Sequence, residues 1–331
     1  MWDEVLNQIN QDVTPQKAIT YWHGNKDSIE LISSGINLVY RFLQGQQTCY
    51  LRLTHADLRP LAELKAALIF QQHLQLHNVP VCRLLASDNA GLIESVEQDE
   101  HTFLAHVVAE VPGTSMHFNY ERQALYQHWG KVLGMFHLAS QSFTGAKHHY
   151  GRWENDIAEF DGYAKLENTV IKNELVMVLT YLKSYPQTNS NYGLIHGDHR
   201  KGNVLCDSRQ VHFIDFDLPR HGWFMDDISR PFFSSIMHNH QNWQDKLAPY
   251  IQGYRSIFAL TDDELQTFSW FMRYKALNMY LWTRNNWNSD IAPGGVSTHK
   301  WLKLMETMIA NQDWIDQVDL LVNKVRERDY V

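Results

Sequence analysis

The chain has 331 residues, of which 44% are hydrophobic, and it carries 29 Lys and Arg against 37 Asp and Glu, for a formal net charge of -8. This length and composition are those of a globular protein with one large or two modest domains. Proteins that bind a nucleic-acid backbone need an excess of basic residues, so we predict no nucleic-acid partner. Three widely spaced cysteines, none in a C-x-x-C pair, favour a reducing compartment.

The N-terminus carries acids at Asp3 and Glu4, where a signal peptide carries basic residues. No apolar stretch approaches the roughly 20 residues needed to span a bilayer. We therefore expect a cytoplasmic protein without a membrane partner, either a monomer or a homodimer. No repeat at a fixed period is visible, which excludes solenoids and propellers.

The first third of the chain has the pattern of a short helix, a β-meander and a second helix. Thr14-Pro15 is typical of a helix start, and Pro60 opens a stretch in which leucine and alanine recur at helical spacing until Asn78. β-branched and aromatic runs alternate with turn residues, as in antiparallel strands. The predicted helices are 16–22 and 60–78, and the predicted strands are 29–32, 38–42, 49–53, 91–93 and 101–109.

Beyond Glu110-Val111-Pro112-Gly113 the pattern is helical almost throughout, so we place the boundary between two lobes, residues 1–110 and 111–331, at this turn. Thr261 to Glu264 has the sequence of a capping box. One interruption, with short apolar runs among glycines and acids, predicts a small sheet embedded in the helical half. The predicted helices are 121–139, one or two within 156–181, and 268–282, and the short strands are 194–195, 204–205 and 211–214.

The residues able to perform chemistry are concentrated in that interruption. The loop 196–203, with sequence HGDHRKGN, presents the carboxylate of Asp198 and the amide oxygen of Asn203, and Asp215 follows across a short hairpin. Two hard oxygen ligands beside a free carboxylate suit Mg²⁺, which takes further ligands from water and phosphates. The free carboxylate can accept the proton of an attacking hydroxyl. A transition-metal site at His196 and His199 is the alternative, although no third ligand falls at a familiar spacing.

This H-x-D-x-x-x-x-N segment, followed by Ile214-Asp215-Phe216-Asp217, resembles the aminoglycoside phosphotransferase and choline kinase family of kinase-like phosphotransferases. The resemblance covers most of the chain and is supported by the turn Ser33 to Asn37, by Gly-x-x-Leu-Gly-x-x-His at 130–137 and by Asp227-Ile228. It implies an α+β, protein-kinase-like bilobal fold with an antiparallel-sheet N-lobe and a mainly helical C-lobe.

The resemblance also implies a role for individual residues, with ATP or GTP bound between the lobes. Asp198 would be the catalytic base, and Asn203 and Asp215 would be the Mg²⁺ ligands. The implied nucleotide-binding residues are Arg52, Gly35 and Asn37 at the phosphates and the backbone of Glu110 and Val111 at the base. The implied supporting residues are His196, Asp217 and Asp227, the last of which we expect to accept backbone hydrogen bonds from the catalytic loop.

One pair of residues departs from the family pattern. Arg52 stands where the family has a lysine, and Ala67 stands where it has the glutamate that orients the lysine. Arginine binds phosphate bidentately and is always charged. Glu63 lies one helical turn before Ala67 on the same face, so our hypothesis is that Glu63 pairs with Arg52. A pseudokinase that only binds nucleotide remains an alternative.

The acceptor is expected to be a small molecule. Gly197 stands where phosphorylation-regulated protein kinases have an arginine, and the short interval from Asp215 to Asp227 leaves no room for a long activation segment. The candidates are an amino alcohol, an aminoglycoside or sugar, and a hydroxy amino acid, and the local charges do not choose among them. A bacterial stress-response-type Ser/Thr protein kinase is the alternative. Aromatic residues around Trp270 and Tyr274 could hold an ammonium group, but their helical spacing is more typical of a core.

Overall fold

The computed structural model describes residues 9–10, 12–34, 37–119, 122–145, 149–155, 168–207, 210–238, 243–287, 289–292, 295–311 and 313–328. Within these residues, none of the helices combines the length and the apolarity needed to cross a bilayer.

An antiparallel sheet forms the N-terminal lobe. Its strands are β1 (Asn25–Ser34), β2 (Leu38–Gln44), β3 (Gln47–His55), β4 (Leu84–Leu85), β5 (Glu94–Gln98) and β6 (His101–Ala109). They are ordered β1-β2-β3-β6-β4, and β5 also pairs with β6. The predicted meander and the strand 101–109 are confirmed. The strand predicted around 91–93 is present but starts later, at Glu94, because the Ser87 amide donates to the Gly91 carbonyl and closes a turn there.

Two helices cover the faces of this sheet. Helix α1 (Thr14–Ala18) continues as a 3₁₀ turn (Ile19–Trp22) and packs on one face, where the Trp22 indole donates to the Leu85 carbonyl at 2.9 Å. Helix α2 (Leu61–Leu76) belongs to a second core that continues into the C-terminal lobe. Both predicted helices are confirmed, although Thr14 is the first helical residue and its hydroxyl bonds Gln98 instead of capping the helix.

The C-terminal lobe is mainly helical. Its helices are α3 (Gln123–Ser142), α4 (Thr169–Ser184), α5 (Phe224–Met237), α6 (Gln244–Arg255), α7 (Asp262–Leu265), α8 (Phe268–Asn286), α9 (Thr298–Ala310) and α10 (Asp313–Arg328). The capping box at Thr261 is confirmed and starts α7. The helices predicted at 121–139 and 268–282 are confirmed with shifted ends. Of the helices predicted within 156–181, α4 is one, and residues 156–167 lie outside the described residues.

The short strands of this lobe belong to more than one sheet. They are β7 (Thr114–Ser115), β8 (Gly151–Arg152), β9 (Tyr192–Ile195), β10 (Val204–Cys206), β11 (Val211–Phe213), β12 (Arg220–Trp223), β13 (Ile291–Ala292) and β14 (Val296–Ser297). Strand β10 pairs with β11 and β7, whereas β9 pairs with β12, which also pairs with β8. The prediction of a single small sheet is therefore wrong, since loop 196–203 leads from one sheet into another.

Two glycines allow helices α3 and α6 to cross in backbone contact. A Cβ atom at Gly130 would lie 1.9 Å from the Tyr250 carbonyl oxygen, and one at Gly253 would lie 1.9 Å from the Gln127 carbonyl oxygen. No larger side chain fits at either position. This close crossing places His137 of α3 beside Tyr254 of α6, whose hydroxyl lies 2.8 Å from the His137 Nδ1 atom.

Candidate active site

Asp198 lies at the centre of the loop between β9 and β10, and its side chain is 27% exposed. The Asn203 side-chain amide donates to the Asp198 backbone carbonyl and to Oδ2, both at 2.8 Å. The Arg200 Nε atom donates to the same Oδ2 at 2.9 Å. These bonds fix the carboxylate, and among the described residues Oδ1 remains without a partner and is the oxygen that an incoming hydroxyl can approach.

The Asp198 carboxyl is ionised at neutral pH. Burial alone would raise its pKa, but the positive charges of Arg200 and Lys275 outweigh burial and hold the pKa below its ordinary value. A carboxylate with a low pKa is a weak base, since general-base catalysis is most effective when the pKa is near the working pH. Asp198 is therefore suited to orient a hydroxyl and to accept its proton late in a transfer.

Asn203 and Asp215 are held next to each other by the backbone, because the Ile214 amide donates to the Asn203 carbonyl at 3.0 Å. The Asn203 NH₂ group is occupied by Asp198, so its amide oxygen is the atom left for a cation. Asp215 has a φ of 69°, a left-handed conformation that costs energy in a residue with a side chain. Oxygen donors from an amide and a carboxylate fit Mg²⁺ or Ca²⁺.

Asp227 stabilises the catalytic loop through hydrogen bonds to its backbone. It is fully buried, and it accepts hydrogen bonds from the backbone amides of His196 at 2.6 Å and Gly197 at 3.1 Å. Burial alone would raise its pKa, but the hydrogen bond from His137 and the neighbouring histidines hold the pKa below its ordinary value. These are the backbone hydrogen bonds expected of Asp227 from the sequence.

The two histidines of the loop make internal contacts. His196 Nε2 lies 3.0 Å from the Ile214 carbonyl, and the Trp129 indole donates to His199 Nε2 at 2.7 Å. Both rings are fully buried. Among the described residues, no group of three or more His, Cys, Asp and Glu side chains is arranged to hold a metal ion, so the alternative of a transition-metal site has no support.

Gly197 is required by the shape of the loop. Its φ is 81°, and a Cβ atom there would lie 2.1 Å from the Leu218 carbonyl oxygen. The residue at this position therefore has to be a glycine, both for its backbone conformation and for the space available. An arginine here, as in regulated protein kinases, would displace the segment that follows Asp215.

Arg52 reaches from strand β3 to the segment after β11. Its Nη2 atom donates to Asp215 Oδ1 at 2.7 Å and also pairs with Asp217. The hypothesis that Glu63 orients Arg52 is wrong, because Glu63 is exposed on α2 and Arg52 has its partners in the other lobe. Burial lowers the pKa of Arg52, but the two carboxylates outweigh burial and raise it, so the guanidinium stays charged.

The Asp217 carboxylate accepts hydrogen bonds from three side chains of the N-terminal lobe. They are the side chains of Asn37, Arg52 and Arg59, with Arg59 Nη1 at 2.9 Å from Asp217 Oδ1. Burial would raise the pKa of Asp217, but Arg52 and Arg59 outweigh burial and hold it below its ordinary value. Asn37 is thus brought to the site, whereas Gly35 lies outside the described residues.

Glu110 and Val111 follow the last strand of the sheet. The Glu110 amide donates to the Thr48 carbonyl at 3.1 Å, and the Tyr50 hydroxyl lies 3.2 Å from Glu110 Oε1. Val111 packs against the main core. Among the described residues, the Glu110 carbonyl and the Val111 amide make no hydrogen bond, so these two backbone groups are available to a ligand.

Three basic residues at this site were not singled out from the sequence, namely Arg59, Arg200 and Lys275. Arg59 and Lys275 are far in the chain from the loop, and only the fold brings them to it. Lys275 gave no separate signal, because the sequence of helix α8 also contains Arg273 and Arg284.

A β-sheet lobe above a helical lobe, with an Asp–Asn–Asp cluster facing the sheet, defines a kinase-type phosphotransferase. A family model described as APH, the phosphotransferase enzyme family, matches residues 28–262. The chain belongs to this family, as its sequence motifs predicted.

Two curated relatives and one solved structure indicate the range of the family. The chain is 24% identical to amicoumacin kinase of Bacillus subtilis (strain 168) over 228 residues, 68% of each protein. It is 27% identical to homoserine kinase of Neisseria meningitidis serogroup B (strain ATCC BAA-335 / MC58) over 208 residues, 61% of this chain and 64% of that protein. The structure of the amicoumacin kinase hAmiN in complex with AMP-PNP, Ca²⁺ and Ami superposes with a TM-score of 0.83 at 19% identity, covering 95% of this chain and 97% of the other.

Proposed function

We propose that this chain transfers the γ-phosphoryl group of ATP or GTP to a hydroxyl of a small molecule, using a divalent cation. The observation that carries the proposal is the geometry of Asp198, whose carboxylate is fixed through Oδ2 by Asn203 and Arg200 while Oδ1 stays open to an acceptor. Membership of the phosphotransferase family already implies that the chain is a phosphotransferase that uses a nucleotide. The acceptor and the choice between ATP and GTP are part of the proposal.

Each group of the site has a role in this reaction. Asn203 and Asp215 would hold Mg²⁺, which when bound would neutralise charge on the β- and γ-phosphates. Arg52 would clamp the phosphates, and the Glu110 carbonyl and Val111 amide would hydrogen-bond the base. Asp198 orients the acceptor hydroxyl and takes its proton, so most of the rate enhancement comes from positioning and from charge neutralisation.

A small acceptor is favoured over a protein. The segment between Asp215 and helix α5 is only residues 216–223, and its second half is strand β12, paired with β9. This segment is therefore occupied within the lobe and offers no extended platform for a peptide. The names of the relatives, amicoumacin kinase and homoserine kinase, also support a small hydroxylated acceptor.

The experiment is an ADP- and GDP-release assay with Mg²⁺ and a panel of amino alcohols, aminoglycosides and hydroxy amino acids, run on the wild type and on Asp198→Asn. We expect turnover with one class of acceptor, and a loss of about 10²- to 10⁴-fold in kcat in the variant, the usual contribution of a general base. Nucleotide binding, measured by thermal shift, should persist in the variant. The exposed Asp27→Asn is the matched control.

Three outcomes count against the proposal. Nucleotide binding without turnover on any acceptor favours the pseudokinase alternative. Transfer to a generic protein substrate or to the chain itself, without transfer to small molecules, favours a protein kinase. Loss of nucleotide binding in a well-folded Asp198→Asn protein contradicts the role given to Asp198.

A further inference from the structure

Arg52 forms a direct ion pair with Asp215, the carboxylate that we expect to bind the cation. The Arg52 Nη2 atom donates to Asp215 Oδ1 at 2.7 Å, and the same nitrogen also bonds Asp217. Only 12% of the Arg52 side chain is exposed, so the guanidinium group is held inside the site. One carboxylate therefore has to serve both a guanidinium group and a divalent cation.

The two positive charges on Asp215 would lie close together. Mg²⁺ binds carboxylate oxygens at about 2.1 Å. Because Arg52 Nη2 is 2.7 Å from Asp215 Oδ1, a cation on that oxygen lies within about 5 Å of Nη2. A dication and a guanidinium group at this separation repel each other, even when solvent screens them. Arg52 therefore disfavours a cation that binds Asp215 without an accompanying anion.

Each carboxylate of this cluster already has an arginine partner. Besides Arg52, the groups whose charges act on Asp215 are Asp198, Asp217 and His196. The carboxylate–arginine pairs are Asp215–Arg52 at 2.7 Å, Asp198–Arg200 at 2.9 Å and Asp217–Arg59 at 2.9 Å. Three carboxylates thus face three guanidinium groups, so the cluster lacks the excess of negative charge that attracts a free divalent cation. The phosphates of a nucleotide supply that negative charge.

Arg52 keeps donors for phosphate while it holds the two carboxylates. Nη2 carries two hydrogens, one for Asp215 and one for Asp217. The Arg52 Nε atom is buried without a hydrogen-bond partner, and Nη1 makes no hydrogen bond to the described residues. An unpaired buried donor is unfavourable, so a further acceptor at this guanidinium group is stabilising. Phosphate oxygens are suitable acceptors, since guanidinium groups bind them through several N–H groups.

We propose that Arg52 is the internal counter-ion of Asp215 and keeps free divalent cations out of the site, so that the cation is bound only together with the nucleotide phosphates. The phosphates supply the negative charge that the guanidinium group and the cation both require. The inference rests on the proposed function and adds the order in which its ligands bind. Arg52 is a positioning residue in this role, because it acts on the cation through Asp215.

Direct binding of Mn²⁺, used in place of Mg²⁺, tests the inference. We would titrate the full chain with Mn²⁺ and follow free Mn²⁺ by electron paramagnetic resonance, with and without AMP-PNP. Isothermal titration calorimetry in EDTA measures the affinity for AMP-PNP alone. The variants are Arg52→Gln, Arg52→Lys and the double variant Arg52→Gln/Asp215→Asn. Arg41→Gln on the neighbouring strand β2 is the matched control, since the Arg41 side chain is 43% exposed and lies 4.0 Å from its partner Glu30.

In the wild type, we expect measurable Mn²⁺ binding only when AMP-PNP is present. Arg52→Gln should bind Mn²⁺ without nucleotide at least about tenfold more tightly, because a unit charge within about 5 Å of a dication has an effect of this size even at the dielectric constant of water. The affinity of the same variant for AMP-PNP in EDTA should fall by about tenfold or more, since it lacks a charged donor to the phosphates. One substitution thus moves the two affinities in opposite directions.

The other variants assign the effect to charge and to Asp215. Arg52→Lys should keep Mn²⁺ binding weak without nucleotide, because the positive charge stays. The double variant Arg52→Gln/Asp215→Asn should lose the gain in Mn²⁺ affinity, because the ligand is removed. Arg41→Gln should bind Mn²⁺ and AMP-PNP as the wild type does.

Other results overturn the inference in distinguishable ways. If the wild type and Arg52→Gln bind Mn²⁺ equally well without nucleotide, the inference is wrong while the phosphotransferase function stands. If the double variant keeps the gain, the cation does not bind at Asp215, and the cation site of the proposed function is wrong as well. If Arg52→Gln does not fold, the wild type and Arg52→Lys decide, because tight Mn²⁺ binding to either without nucleotide contradicts the inference.

Discussion

Arg52 of strand β3 and Asp217, 165 positions later in the chain, form an ion pair that joins the two lobes. Asp217 also accepts from Arg59 and Asn37. One carboxylate of the C-terminal lobe therefore holds three side chains of the N-terminal lobe. Asp217 therefore orients Arg52 from the opposite lobe.

Asp217→Asn should weaken nucleotide binding, because Arg52 and Arg59 lose the charge that orients them. The loss of one charge-assisted hydrogen bond corresponds to about 1.5–3 kcal/mol, or roughly a 10- to 150-fold rise in Kd. Glu63→Ala should leave Kd unchanged, since Glu63 is exposed on α2. Isothermal titration calorimetry with Mg²⁺-AMP-PNP measures Kd for Asp217→Asn and for Glu63→Ala. Equal effects of the two variants would contradict the role of Asp217.

Gly197→Ala should disrupt the catalytic loop, because an added methyl group meets the Leu218 carbonyl oxygen at 2.1 Å in a backbone with φ of 81°. We expect a loss of at least about 2 kcal/mol in the free energy of unfolding, more than the 1–2 kcal/mol cost of the left-handed conformation alone. A large fall in kcat should accompany it, since Leu218 follows the Asp215–Asp217 segment.

Gly45→Ala is the matched control for this prediction. Gly45 also has a positive φ, of 60°, but nothing lies within 4 Å of its would-be Cβ atom. Its substitution should cost only about 1 kcal/mol and leave kcat unchanged. Denaturant unfolding measures the free energy of unfolding of both variants. If Gly197→Ala and Gly45→Ala are equally stable, the close approach of the Leu218 carbonyl does not destabilise Gly197→Ala.

The catalytic loop was predictable from the sequence because its geometry is local. Asp198 and Asn203 are five residues apart, and a short hairpin returns Asp215 to them. Likewise, the helical spacing of Trp270, Tyr274, Leu277 and Leu281 predicts a core stripe, and the last three are buried while Trp270 is half-buried. Local spacing and periodicity fix such features before any tertiary contact is known.

The partners of Arg52 and Lys275 could not be predicted in this way. The sequence suggests Glu63 as the partner of Arg52 because Glu63 lies one helical turn before Ala67, where the family has its glutamate. The observed pairing with Asp217 depends instead on how the lobes face each other and on the reach of the guanidinium group. The environment of Lys275 depends on the packing of α8 against α5. Neither the Arg52–Asp217 contact nor the environment of Lys275 is indicated by a fixed spacing of residues in the sequence.

His106 should make the protein less stable in acid. His106 is a buried residue of strand β6, and it lies opposite Arg52 of strand β3. Burial lowers its pKa to about 3. The charge of Asp217 opposes this shift, whereas the charges of Arg52 and Arg59 add to it. In the unfolded chain its pKa is near 6.5. Between these values the unfolded state binds the extra proton, so stability is lost as the pH falls below about 6.5.

The loss attributable to His106 at pH 5 is about 2 kcal/mol, from a difference of about 1.5 pH units below the unfolded pKa. In His106→Leu this part of the pH dependence should disappear, because the variant has no group there to protonate on unfolding. Urea unfolding at pH 7 and pH 5 measures it, and the exposed His299→Leu should keep the wild-type dependence. If wild type and His106→Leu lose the same free energy between the two pH values, His106 is not held neutral in the folded protein.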